Sequence, residues 1–160
     1  MAGFVSVLLC GAVSDIRTLE IANWISIVLV LAYLPAALNA DLIFSQIAVH
    51  YGVALVVFMG SIALYALKLF GGGDVKFLAA VALWVPWHDL GSFLFLVALL
   101  GGLLAIVIWI TAKLPSLAMV RRKLTWIGTD HLHRQSIPYG VAIAGAGLMV
   151  IIKNGGHLSG

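Results

Sequence analysis

Two carboxylates and a run of glycines carry the chemistry that can be read from this chain. Asp15 stands in Asp15-Ile16-Arg17, and Asp74 closes Gly71-Gly72-Gly73-Asp74. Each acid alone has a structural reading. Asp74 can cap the free N–H groups of a helix that it opens, and Asp15 can pair with Arg17 in a loop. Two acids in one low-dielectric cavity behave differently, because they cannot easily both ionise and so hold a proton between them. Such a pair can split water: one carboxylate takes the proton while the other polarises a carbonyl. The glycine run lacks the spacing of a phosphate-binding loop, and an acid at its end repels phosphate.

The acids can meet only if their elements carry them to one place. Of 160 residues, 63% are hydrophobic and 9% charged, against roughly 25% charged in a soluble domain. This composition excludes a disordered chain, a coiled coil and an ordinary soluble globule. Stretches free of Asp, Glu, Lys and Arg run over Met1–Ser14, Ile21–Ala40, Leu42–Leu67, Phe77–His88, Leu90–Ala112 and Gln135–Ile152. A spanning helix needs about 20 apolar residues. The expectation is an all-α, polytopic integral membrane protein of about six transmembrane helices, with residues 1–160 forming a single membrane-embedded domain. The first and fourth stretches, those beside the two acids, are short. A helix from Asp74 to Trp87 covers roughly 20 Å of a core about 30 Å thick. Acids drawn below the surface in this way are costly and face a wet cavity or a partner.

Charge sets the orientation. With the N-terminus outside, the inner loops hold Arg17, Lys68, Lys76, Lys113, Arg121, Arg122, Lys123 and Arg134, eight of the nine Lys and Arg, and only Lys153 falls outside. The basic excess marks the cytoplasmic side of a membrane rather than a nucleic-acid partner, and both termini are expected outside. Asp15 and Asp74 then share one membrane depth. Trp24, Trp84, Trp87, Trp109 and Trp126 read as interfacial. Gly101, Gly102, Gly140, Ala144, Gly145 and Gly147 read as small surfaces for helix packing. Cys10 reads as a buried apolar residue, and the single cysteine excludes a disulfide framework or Cys-rich zinc site. His131-Leu132-His133 beside Asp130 is a weak metal signal, read as a solvated loop. His50, His88 and His157 suggest nothing specific.

The segments around both acids resemble a known family. Gly71-Gly72-Gly73-Asp74 fits the GxGD motif of intramembrane aspartyl proteases, and Val75-Lys76-Phe77-Leu78-Ala79-Ala80 is similar to type IV prepilin leader peptidases. Asp15-Ile16-Arg17 and Ile21-Ala22-Asn23 resemble that family's first acid and the segment after it. Leu100-Gly101-Gly102-Leu103-Leu104 and Ile137-Pro138-Tyr139-Gly140-Val141-Ala142-Ile143-Ala144 resemble its later segments. The likeness is to the short branch serving tight-adherence (Flp-type) pili. It implies an inner-membrane endopeptidase that removes the short basic leader of a prepilin or pseudopilin at the cytoplasmic face, just after a glycine. It implies catalysis by Asp15 and Asp74 without metal or cofactor, with Gly71, Gly72, Gly73, Lys76, Arg17 and Asn23 in supporting positions. The implied partners are the membrane-embedded substrate and the bilayer. The family often has Pro where this chain has Ala22. Larger members add a cytoplasmic domain with paired Cys-x-x-Cys zinc motifs that can methylate the new pilin N-terminus, a role one cysteine does not support. Paired membrane acids also suit a small proton-coupled transporter or channel subunit, and a non-enzymatic subunit of a pilus assembly machine is the third reading.

The orientation is tested by placing single cysteines along the chain in sealed cells. A cysteine in the 113–134 loop should be shielded from an impermeant thiol reagent, and labelling from outside would overturn the assignment.

Overall fold

The computed structural model describes residues 2–113 and 137–155. The regular elements among them are α1 (Ala2–Thr18), α2 (Asn23–Asn39), α3 (Phe44–Ala66), α4 (Gly72–Ala82), a 3-10 turn (Trp87–Asp89), α5 (Leu90–Lys113) and α6 (Tyr139–Lys153). Each charge-free stretch thus contains a helix. Two boundaries shift: α4 starts at Gly72 and stops at Ala82 instead of running from Asp74 to Trp87, and α1 continues past Asp15 to Thr18.

Two stretches, Phe44–Ala66 and Trp87–Ile110, are long and apolar enough to cross a membrane, while α2 and α6 are apolar but shorter. Only 22% and 17% of the two long windows are buried inside the molecule. Their apolar surface therefore faces outward, joined by exposed Leu31, Phe44, Val56 and Phe95. Exposure to water costs about 25 cal/mol per Å² of such surface, and a lipid environment removes that cost.

The interior is organised around α4. Eight of its 11 residues are buried, and it packs against α2, α3 and α6. Ala79, Ala80 and Ala82 let the neighbouring helices approach closely, and Phe77, Leu78 and Val81 fill the spaces between them. The helix gives way to a turn at Leu83–Val85, and Pro86 precedes the 3-10 turn. On α1 the buried face is Phe4, Leu8, Gly11 and Asp15, the i, i+4, i+7, i+11 spacing of one helical stripe. This face packs against α2 and α6.

That arrangement corrects three expectations, on Cys10, Trp84 and Gly102. Cys10 lies off the α1 stripe and is exposed. Trp24, Trp87 and Trp109 are exposed as expected, but Trp84 is enclosed with α4: its Nε1 donates to the Leu29 carbonyl at 3.1 Å and its ring meets Phe4 and Tyr33. Trp126 and the His131–His133 loop lie outside the described residues. Gly101, Gly145 and Gly147 sit in close contacts, whereas Gly102 has open space around it. His50 is buried, with Nδ1 3.0 Å from the Leu83 carbonyl and its ring stacked on Tyr33.

Asp89 is also buried. It accepts from Lys153 Nζ at 2.7 Å and Asn154 Nδ2 at 2.8 Å, which ties the start of α5 to the end of α6. Replacing Lys153 by Ala leaves this enclosed carboxylate without its charged partner. The expected loss is about 1–3 kcal/mol, read as a lower Tm in detergent, and adding Asp89→Asn to Lys153→Ala should recover part of it.

Candidate active site

At the end of the bundle away from Asp89, three helix termini converge: the last turn of α1, the first turn of α4 and the first turn of α6. The loop between α1 and α2 holds them in register. Ser14 Oγ and Thr18 Oγ1 both donate to the Glu20 carbonyl, at 2.9 and 3.0 Å, and the Glu20 N–H donates back to Thr18 Oγ1 at 3.3 Å. Leu19 makes the reversal in the left-handed region, at φ 54°. Ala22 has φ −62°, the value proline imposes, so the loop keeps a proline-like backbone without the ring. Pinned in this way, Ile21 points inward and is buried.

Ile21 is the spacer between the two acids' surroundings. A Cβ on Gly73 would come within 3.0 Å of the Ile21 carbonyl oxygen, and one on Gly140 within 2.7 Å of Ile21 Cδ1. Only glycine allows α4 and α6 to start this close to the loop. Gly72 is less constrained, its nearest neighbour being Tyr65 Cε2 at 3.8 Å.

Asp15 is 2% exposed. Its Oδ2 accepts the Gly140 N–H at 2.6 Å, and the Val141 N–H also faces the carboxylate. Both belong to the α6 N-terminus, where the helix dipole favours an anion, and the Val141 N–H is shared with the Pro138 carbonyl at 3.3 Å. The donor is charge-assisted, which strengthens it relative to a neutral bond. Asp74 is 9% exposed and occupies the third position of α4. Its Oδ2 reaches back to the Gly71 N–H at 2.9 Å, so the capping role read from the sequence is real. Among the described residues Gly71 is its one hydrogen-bond partner, which leaves acceptor capacity for a ligand. The Asp74 charge acts on Asp15 and on the Tyr139 hydroxyl. Tyr139 packs its ring on Phe70 at 4.6 Å.

The structure therefore brings Asp15, Asp74, Gly71 and Gly73 together. It does not bring Arg17 in: Arg17 is exposed and, among the described residues, makes no ion pair, so the alternative of Asp15 as the loop partner of Arg17 gives way to the Gly140 bond. Lys76 and Asn23 join each other instead, Nζ to Oδ1 at 2.9 Å, about 200° around the α4 axis from Asp74. Sequence reasoning missed Ser14, Thr18 and Ile21 and read Gly140 as packing. The Ser14-x-x-x-Thr18 spacing, one helical turn, was the available signal for a pinned loop. Among the described residues no group of three or more His, Cys, Asp and Glu side chains is gathered as a metal site requires. Two buried carboxylates that act electrostatically on one another are suited to acid–base chemistry on a carbonyl or phosphoryl centre.

The family model described as the type IV leader peptidase family matches residues 2–106. The chain matches no curated protein and no solved structure. The matched stretch contains both acids and the glycine run, and stops short of Gly140.

Geometry gives Gly140 a role that packing alone does not. A Cβ there would lie 2.8 Å from Asp15 Oδ2 and 3.0 Å from Asp15 Cβ, so Gly140→Ala must displace the carboxylate. Misplacing a reacting group by about 1 Å costs on the order of 100-fold in rate. Gly140→Ala should show that loss with its helical circular dichroism intact, while Gly72→Ala stays near wild type. Equal rates in Gly140→Ala and the wild type would remove Gly140 from the site.

Proposed function

The chain belongs to the type IV leader peptidase family, and on that premise we propose that Asp15 and Asp74 are the catalytic pair of an intramembrane aspartic endopeptidase. Its substrate is a prepilin or pseudopilin, itself a membrane protein with a short basic leader ahead of an apolar helix. The motifs resemble the branch serving tight-adherence pili. In this reading residues 1–160 form one membrane-embedded domain without a zinc or methyltransferase domain. About six helices cross the bacterial inner membrane, both termini are outside, and the carboxylates lie toward the cytoplasm. The outward apolar faces and the eight-to-one distribution of basic residues support that placement.

The observation that carries the proposal is the convergence of two buried acids from separate helices on one site, each with a backbone N–H on one oxygen. Those bonds fix the carboxylates and leave the remaining oxygens to handle protons. With one proton shared by the pair, the ionised member takes a proton from water as the oxygen attacks the scissile carbonyl carbon. The protonated member hydrogen-bonds the carbonyl oxygen and transfers its proton to it as the carbon becomes tetrahedral. Collapse breaks the C–N bond, and the amine leaves with a proton returned from the pair. No acyl-enzyme forms. The short α4 keeps this site below the membrane surface yet open to water at one end, as hydrolysis in a bilayer requires.

The test is cleavage of a purified prepilin by the purified protein in liposomes. Asp15→Asn and Asp74→Asn keep shape but not proton transfer, so each should lower the rate by about 10²–10⁴-fold. The double variant should be no worse than either single one, since residues acting as a unit are non-additive. The wild-type pH–rate profile should be bell-shaped. A folded Asp74→Asn protein that cleaves at the normal rate would end this reading, and proton flux without cleavage would favour a transporter.

A further inference from the structure

Beside the carboxylate site, on the other side of α4, lies a cleft of about 530 Å³. It exists because α2 and α3, consecutive in sequence, both pack on α4 and make little contact with each other along this half. They close only further along, where the Tyr51 hydroxyl donates to the Val30 carbonyl at 3.4 Å and Tyr51 meets Tyr33 edge to face. The wall is apolar, lined by residues such as Val30, Ala54 and Leu83, except at one end. There Asn23 holds Lys76 at 2.9 Å, and Ser26 stands one turn deeper. Lys76 has no carboxylate partner among the described residues. Ser26 is 7% exposed, and its Oγ has no hydrogen-bond partner among the described residues. A buried hydroxyl left unpaired costs about 1–3 kcal/mol, so this end of the cleft suits a ligand that carries acceptors.

We propose that the cleft holds one acyl chain of an anionic phospholipid, with the phosphate on Lys76 and Asn23 and a glycerol ester carbonyl on Ser26. Length decides between this occupant and a spanning helix. From Asn23 to Leu31 the cleft runs eight residues along α2, about 12 Å at 1.5 Å per residue. That is close to one leaflet of a hydrocarbon core about 30 Å thick, whereas a spanning helix needs both. The polar end lies level with the start of α4, so under the orientation given above the lipid stands upright in the cytoplasmic leaflet. The site rests on that orientation and not on peptidase activity.

Native mass spectrometry of delipidated protein, loaded with dioleoyl phosphatidylglycerol or dioleoyl phosphatidylcholine, tests it. The wild type should retain one phosphatidylglycerol, with a preference of about fivefold over phosphatidylcholine, the factor one lysine supplies at a membrane surface. Lys76→Gln should erase the preference, and Ala54→Phe, which fills the cleft, should lose both lipids. Lys68→Gln should behave as wild type. Equal retention of the two lipids by the wild type, full retention by Ala54→Phe, or an equal loss in Lys68→Gln would overturn the site. Displacement of the lipid, one for one, by a single-span apolar peptide would assign the cleft to a protein helix instead. Retention of phosphatidylglycerol by a protein that fails to cleave prepilin would sink the peptidase reading and leave the lipid site standing.

Discussion

A helix of 11 residues is too short to cross a bilayer, and the architecture is arranged around that constraint. α4 covers about 16 Å, so it cannot face lipid along a full span. α2, α3 and α6 enclose it, and its interior is correspondingly rich in alanine. Its first turn carries Asp74, which is buried with it. The enclosure forces α1 and α6 to bring their own ends to that depth, which is how a carboxylate from one helix and the N–H groups of another reach the same place. Burial of the acids follows from the shortness of the helix that carries one of them.

How much of this was legible in the sequence follows from what each signal measures. Charge-free runs report hydrophobicity along the chain, and they located the helices closely. The glycine run and the two acids are local motifs, and they located two of the three termini at the site. Which side of a helix faces the interior depends on neighbours that a linear pattern does not name. Trp84 read as interfacial because aromatic side chains favour interfaces, and His50 carried no specific signal, yet both sit where α4 meets α2 and α3. The burial of Asp89 was not legible because its partners, Lys153 and Asn154, lie 64 and 65 positions further along the chain. Gly140 looked like packing because its function is a backbone N–H, which no side-chain type announces.

The family match and the structure divide the site between them. The matched stretch carries both carboxylates and the glycines that let α4 begin against Ile21. The oxyanion-like environment of Asp15 comes from Gly140 and Val141, beyond the matched region. A carboxylate oriented by backbone amides is held independently of side-chain identity, so the sequence of α6 can vary while the donor remains. Steric exclusion at Gly140 is the part that cannot vary. The neighbouring Lys76 belongs to the same motif as Asp74 but turns to the opposite face of α4, where it serves the cleft rather than the acids.

The bond between Asp15 and Gly140 spans 125 positions of the chain, and this gives the site an order of assembly. A ribosome making this chain delivers Asp15 first, then Asp74, then the α6 amides. Before α6 joins the bundle, the first carboxylate has neither its donors nor the wall against Ile21. A chain cut short before α6 carries both acids, with only Asp74 held by the start of its own helix. The alignment of Asp15 therefore waits on the last of the three termini to be made.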